Sequence, residues 1–373
     1  MSAPAMTREG YARLPEDLLR DLLQGVPEVV QRVQQLLGSA MDRKVQLRDA
    51  LERLDLIQTH GTAARSTVCG VDGGFAVERT AAVDFVMCVA VGVEGLSDTT
   101  TIWDGNQYEW WSQVGPHDIE AERLARGIMV AQELAILADA PHEQRILDGS
   151  HLTPVIQINS ALSTISEQVG DRARKVWAEL DTIGDLARMA SDPAVIAMPK
   201  YDSSRVITDR LAAYIGEDVP GDDKLLLGLL LNAGELVKPQ PVPEDPWCKL
   251  HFAARKKQDQ ALAEALQEAI KPLTERSLNF TYYKPDESSP AFRLELKQDL
   301  DDLRINAICS TLQSQMTGPF VREPYPQYLA DAMAKSVGLG LSVLQSAAQL
   351  GVSGLGRPDI AELLIHSYRT EGV

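Results

Sequence analysis

The 373-residue chain is 45% hydrophobic, enough for one large core or two ordinary ones, and its 53 Asp and Glu against 36 Lys and Arg give a formal charge of −17. A surface so acidic repels nucleic acid as a whole, so DNA contact requires a local basic lining, metal ions or delivery by a partner. Four cysteines without Cys-x-x-Cys spacing argue against a zinc ribbon or a disulfide framework, and no signal-like apolar core or membrane-length apolar run is present, which leads to the expectation of a soluble cytoplasmic protein with no membrane role.

Residues 1–60 read as an N-terminal helical segment: Leu18, Leu19, Leu22, Leu23, Val26 and then Val29, Val30, Val33, Leu36, Leu37 recur at three-four spacing, with Pro27 expected to break two helices that pack as a layer on a sheet. The pattern then switches. Val68 to Val71 predicts a short strand ending on Asp72 and turning at Gly73-Gly74, and the β-branched run from Ala81 to Val93 predicts a strand buried on both faces. From about His117 to Ala138 the spacing predicts a helix. On it Glu133 is flanked one turn away by Met129, Val130, Ile136 and Leu137, whereas Glu122 has Asp118 and Arg126 there and reads as solvated surface.

Arg145 to Ser150 repeats the earlier motif, a strand ending in Asp148-Gly149, and Ala194 to Met198 predicts a third strand running into Pro199-Lys200. A Pro-rich insertion or linker is expected around 216–247, then a helix from Ala253 to Ile270, a strand pair over Leu278–Tyr283 and Phe292–Leu296, and helices over about Asp299–Leu312 and Pro326–Leu350.

Two strand-end carboxylates sharing a rim repel, which raises their pKa values or calls for a counter-cation; hard divalent ions are the usual solution. Asp72, Glu133 and Asp148 follow the order strand, helix, strand, the arrangement of an RNase H-like metal site. Lys200, at a strand end near these acids, is a candidate phosphate contact or carboxylate partner. There is no Gly-x-x-x-x-Gly-Lys-Ser/Thr loop, no dinucleotide Gly-x-Gly-x-x-Gly, no His-x-x-x-His pair and no Gly-x-Ser-x-Gly elbow.

Five segments in series resemble the NurA nucleases: Val68-Cys69-Gly70-Val71-Asp72-Gly73-Gly74, Ile146-Leu147-Asp148-Gly149-Ser150, Val195-Ile196-Ala197-Met198-Pro199-Lys200, Phe280-Thr281-Tyr282-Tyr283 with Phe292-Arg293-Leu294-Glu295-Leu296, and Pro324-Tyr325-Pro326-Gln327-Tyr328-Leu329. They cover roughly Thr67 to Lys335. The resemblance implies an α/β fold: an RNase H-like mixed sheet with flanking helices and added N- and C-terminal helical parts, making 61–373 a nuclease domain. It further implies a homodimer and a partnership with a HerA-type hexameric ATPase in DNA end resection, repair or phage defence. The implied activity is divalent-metal-dependent DNA cleavage, as a 5'-3' exonuclease and a single-strand endonuclease. Mn²⁺ or Mg²⁺ is to be held by Asp72, Glu133 and Asp148, with Lys200 and Tyr325 at the site. Two positions depart from the pattern: Gly74 stands for a serine, and Met333 stands where the family places a metal-site His or Asp eight residues after the tyrosine. A thioether is a poor ligand for a hard cation. Asp331 lies two residues earlier, about 200° round a helix, and Met333 therefore motivates an alternative reading as a catalytically weakened DNA-end adaptor.

Overall fold

The structure, a computed structural model, describes residues 16–96, 103–105, 107–164, 167–243, 251–252, 256–275, 278–298, 300–364 and 367–368. Along the chain the elements begin α1 (Glu16–Asp42), α2 (Lys44–Arg53), β1 (Ile57–Thr59), β2 (Val68–Thr80), β3 (Asp84–Glu94) and β4 (Tyr108–Gly115). Next come α3 (Ala121–Asp139), β5 (Gln144–Asp148), α4 (Leu152–Leu162), α5 (Glu167–Glu179), α6 (Thr182–Ser191) and β6 (Val195–Met198). They continue with α7 (Val206–Ile215), α8 (Asp223–Leu230), β7 (Glu235–Val237), β8 (Gln240–Pro241), α9 (Gln260–Ala269), α10 (Lys271–Thr274), β9 (Leu278–Lys284) and β10 (Phe292–Lys297). The last are α11 (Asp302–Ser314), α12 (Tyr325–Ala334), α13 (Val337–Gly354), α14 (Pro358–Leu363) and β11 (Ser367–Tyr368).

By contacts the chain falls into two units, one of residues 1–54 and 203–230, the other of 55–202 and 231–373. In the smaller unit, Asp223 organises the α7–α8 corner by accepting hydrogen bonds from the Thr208 N–H and hydroxyl and from Ser204. Pro27 lies inside α1 and does not break it. Within this unit the α1 side chains Leu22, Leu23 and Val29 are mostly exposed.

The larger unit is built on one mixed sheet with the order β1-β7-β9-β10-β6-β5-β2-β3-β4, to which β11 adds beside β2 and β8 beside β9. β2, β3 and β4 form an antiparallel meander; β5 then returns parallel to β2, and β6 parallel to β5. The connection from β4 back to β5 is α3, a parallel strand needing a crossover of helical length. This is the strand order of an RNase H-like sheet with helices on both faces, as expected. β7 and β8, from within 216–247, join the sheet, and residues 244–247 lie outside the described set, as does the start of the helix expected from Ala253.

Strand alternation sorts the core into two faces. Cys69, Val71, Leu147, Val195 and Ala197 pack under α3, α4 and α6, against Leu124, Ile128, Leu134 and Leu186. Val68, Ile146, Ile196, Met198 and Leu294 point the other way and meet Ile305, Ile308 and Leu312 of α11. Each such fully buried aliphatic side chain contributes about 1.5–3 kcal/mol of burial free energy. Asp72 and Asp148 share the parity of Val68 and Ile146, so the fold sends both carboxylates to the α11–α12 face.

β2 is longer than the sequence suggests. It runs straight through Gly73 and Gly74 to Thr80, with β3 paired along it from Cys69↔Glu94 to Arg79↔Asp84, and the reversal comes at Thr80–Val83, where the Thr80 N–H bonds to the Val83 carbonyl. The glycines are therefore not turn residues. The parallel partner β5, however, pairs with β2 only as far as Val71↔Leu147. Asp72 is the first residue beyond that cover, so one edge of the strand opens at the acid.

Candidate metal centre

Gly70, Asp72 and Gly74 alternate onto one face of β2, and helix α12 lies directly upon them. A Cβ on Gly70 would meet the backbone of Gln327 at 2.7 Å and of Pro326 at 2.8 Å, and one on Gly74 would meet the Ala334 backbone, its carbonyl carbon at 2.8 Å. Such approach of helix to strand is available only to glycine. It brings Asp331, on the same side of α12 as Gln327 and Ala334, over Asp72. The Asp72 Oδ1 also accepts the Gly73 N–H at 2.8 Å.

Asp148 closes β5, and the chain leaves it through Gly149 at φ +92°, a left-handed conformation that favours glycine. The following turn is pinned from β10, the strand beyond β6. Glu295 Oε2 accepts from the Ser150 hydroxyl at 2.8 Å and from the His151 N–H at 3.1 Å. Arg293 neutralises Glu295 at 3.3 Å and also pairs with Asp202 at 2.9 Å. Burial alone would raise the Glu295 pKa, but His151, Arg293 and Ser150 hold it below its ordinary value, so the anchor stays charged.

Asp72, Asp148 and Asp331 each offer one carboxylate oxygen, and the three oxygens lie within 4.8 Å of one another. Lys200 reaches over from the end of β6, its Nζ 3.0 Å from Asp148, 2.7 Å from Asp331 and 3.5 Å from Glu323. Lys335, one turn along from Asp331, adds a second contact at 2.7 Å. Burial, then repulsion from Asp148, pushes Asp72 up to about 8, against the pull of Lys200 and the Gly73 N–H. Burial also raises Asp331, but the hydrogen bonds from Lys200 and Lys335 outweigh it and hold that carboxyl low. Burial works against the Lys200 charge, yet Asp148 and Asp331 keep its ammonium protonated well above the usual lysine range. Both consequences expected of converging acids occur: the Asp72 pKa is raised, and the Lys200 ammonium lies on Asp148 and Asp331.

Glu133 reaches the cluster from the other side. Its Oε1 lies against the bare α-carbon of Gly73, whose missing side chain would point to the α3 face, and the residue is 6% exposed. Burial, then Asp72 and Asp148, raises its pKa well above the ordinary glutamate value. It stands next to Asp72 and Asp148 but outside the 4.8 Å set. Tyr325 opens α12, its N–H donating to the Gln315 carbonyl, and its hydroxyl makes no hydrogen bond with the carboxylates. Met333 is 47% exposed and no part of the cluster. Sequence reasoning did not place Glu323, and it weighed Asp331 only as an off-register substitute at the Met333 position. For Asp331 a usable signal existed: Ala330 and Ala334, small and four apart, mark the face of α12 able to press on Gly70 and Gly74, and Asp331 sits between them.

A divalent ion with oxygen ligands at about 2.0–2.6 Å spans ligands up to roughly 4–5 Å apart, and an all-carboxylate donor set suits hard cations such as Mg²⁺ and Mn²⁺. The three oxygens fit such an ion.

No protein-family model matches the chain, and no curated protein matches it in sequence. Among solved structures it is similar to the NurA nuclease from Sulfolobus solfataricus, with TM-score 0.54 and 12% identity over 90% of this chain and 98% of that one. It is also similar to a second NurA structure, with TM-score 0.51 and 12% identity over 90% and 99%. A NurA structure containing manganese aligns with TM-score 0.54 and 11% identity over 89% and 98%. At these identities the likeness is one of fold, and it extends over nearly the whole length of both chains.

Proposed function

We propose that this protein is a divalent-metal-dependent DNA nuclease. The observation that carries the reading is the convergence of Asp72, Asp148 and Asp331 from two strands and a helix onto one face of a NurA-like sheet. Asp72, Asp148 and Asp331 would hold the ion, with Glu133 beside them through the gap at Gly73. A Mn²⁺ or Mg²⁺ bound there supplies Lewis-acid charge for hydrolysis of a phosphodiester. That a similar fold has been solved with manganese supports the choice of ion.

The protein's own groups do the rest. Lys200 offsets the repulsion among Asp148, Asp331 and Glu323 and offers a cation to a phosphate arriving at the cluster. Glu295 fixes the Ser150–His151 turn and with it the direction of Asp148. Tyr325 is assigned a place at the rim, on the helix that carries Asp331. With Asp331 among the three acids, Met333 gives no reason to prefer the adaptor reading.

The finer features follow from the resemblance and are proposed with it: a homodimer working with a HerA-type hexameric ATPase in end resection, repair or phage defence, with 5'-3' exonuclease and single-strand endonuclease activity. Threading by a translocating partner suits a chain of charge −17 better than capture of DNA from solution. The test is cleavage of linear duplex and single-stranded DNA in Mn²⁺, Mg²⁺ and chelator, with and without the ATPase. Cleavage lost in chelator and in Asp72→Ala and Asp148→Ala, with circular dichroism unchanged, is the expected result. Unaltered cleavage by either variant defeats the assignment, and failure of the ATPase to co-purify defeats the partnership alone.

A further inference from the structure

Among the described residues two aromatic side chains are almost wholly in solvent, Tyr201 at 95% and Phe320 at 98% exposed, and both belong to segments that lead into the carboxylate cluster. Tyr201 directly follows Lys200, which touches Asp148 and Asp331. Phe320 precedes by three residues Glu323, which pairs with the same lysine. Consecutive Cα atoms are about 3.8 Å apart and three residues reach at most about 11 Å, so the backbone of each ring residue lies within about 11 Å of a residue whose side chain joins the cluster.

Phe320 is displayed by a formed turn rather than by a loose loop. The Val321 N–H bonds to the Gly318 carbonyl at 3.3 Å, Gly318 takes φ +143°, and Pro319 fixes the corner, leaving Phe320 at the tip. The next residue but one, Arg322, is exposed and makes no ion pair with a described residue. In a chain with 17 excess negative charges, an open guanidinium beside an open aromatic ring at the edge of a carboxylate cluster is charge-complementary to a phosphate chain.

A ring left in water keeps the unfavourable hydration of its apolar faces, which a group stacked on it removes. Bases of an unpaired strand cover rings well, because every base has a π-face, whereas in a closed duplex those faces are already stacked on one another. We propose that Tyr201 and Phe320 are stacking platforms for unpaired bases at the rim of the carboxylate cluster, with Arg322 holding the intervening phosphates, so that the site receives a single-stranded segment or a frayed end. The proposal rests on the nuclease reading and names how its substrate is gripped.

The test uses the full chain in Mn²⁺ with a fluorescein-labelled phosphorothioate oligothymidylate about twelve nucleotides long, within the span of a single-strand groove. Anisotropy should show Phe320→Ala and Tyr201→Ala each weakening binding about five- to a hundredfold, the range of one base–ring stack. Phe320→Trp should restore affinity and Phe320→Leu should not, while Mn²⁺ binding and blunt-duplex binding stay at the wild-type level. Replacing the bases by abasic sites should weaken the wild type but not the double variant.

Wild-type affinity in both alanine variants overturns the proposal, as does full rescue by Phe320→Leu, which would make apolar bulk rather than the ring the cause. Variants that keep oligonucleotide affinity but change oligomeric state would mark the rim as a protein contact and overturn it too. If the wild type neither binds nor cuts DNA, the nuclease reading itself falls; if it cuts normally and only the ring variants are silent, the stacking assignment alone falls.

Discussion

Gly70→Ala is the sharpest probe of how the centre is assembled, because Gly70 touches no carboxylate. The added methyl would sit 2.7 Å from the Gln327 nitrogen, 2.8 Å from the Pro326 carbonyl carbon and 3.0 Å from the Gln327 α-carbon. All three are backbone atoms of the first turn of α12, so no rotamer change relieves them. Ordinary van der Waals separation begins at about 3.5 Å, so the helix must lift by roughly 0.5–0.8 Å. Overpacking of this kind costs about 1–3 kcal/mol, which for a unit of this size lowers Tm by about 2–5 °C. The functional consequence is larger, since metal–ligand distances tolerate only about ±0.2 Å and the same helix carries Asp331. Calorimetric titration with Mn²⁺ and thermal melting read both effects. Gly338→Ala is the control: its Cβ meets nothing within 4 Å. A Gly70→Ala protein with wild-type Tm and wild-type Mn²⁺ affinity would refute the argument that α12 is seated on β2 through these glycines.

Asp331→Asn is expected to weaken Mn²⁺ binding at least tenfold, whereas Met333→Ala leaves it unchanged; equal effects in the same titration would return the ligand role to the Met333 side of the helix. Lys297, its ammonium on the Met189 and Ala190 carbonyls at the end of α6, is pushed down to about 8 by burial, which outweighs the pull of Asp192 and Glu295. Below pH 8 it is protonated folded and unfolded, and the fold bears the cost of the buried charge. Between 8 and the unfolded value of 10.5 the unfolded chain binds more protons, so stability rises with pH. Relative to Lys297→Met, denaturant titrations should show the wild type gaining about 3 kcal/mol over that window, and parallel curves would disprove the burial argument.

Much of this architecture is written in local chemistry. The apolar β-branched runs of β2, β3, β5 and β6, and the three-four spacing of α3, are short-range signals. They carry the order strand, helix, strand, and with it the approach of Asp72 to Asp148 across two parallel strands. Glu133 was visible as an acid on an apolar face, because burial of an acid leaves that mark in any sequence.

Other features depend on contacts between residues far apart in the chain. Gly73 and Gly74 have the local chemistry of a turn, but the eleven-pair ladder with β3 holds them extended, and helices pressing on both faces are why they are glycine. The sequence alone pointed to two strand-borne aspartates sharing one rim, with raised pKa values or a counter-cation as the consequence. Tertiary packing set Lys200 on Asp148 and Asp331 and brought a carboxylate oxygen of Asp331 within 4.8 Å of those of Asp72 and Asp148. The reason is geometric: periodicity sets which face of a helix is apolar, but the register in which α12 settles on Gly70 and Gly74 is fixed only when both surfaces exist.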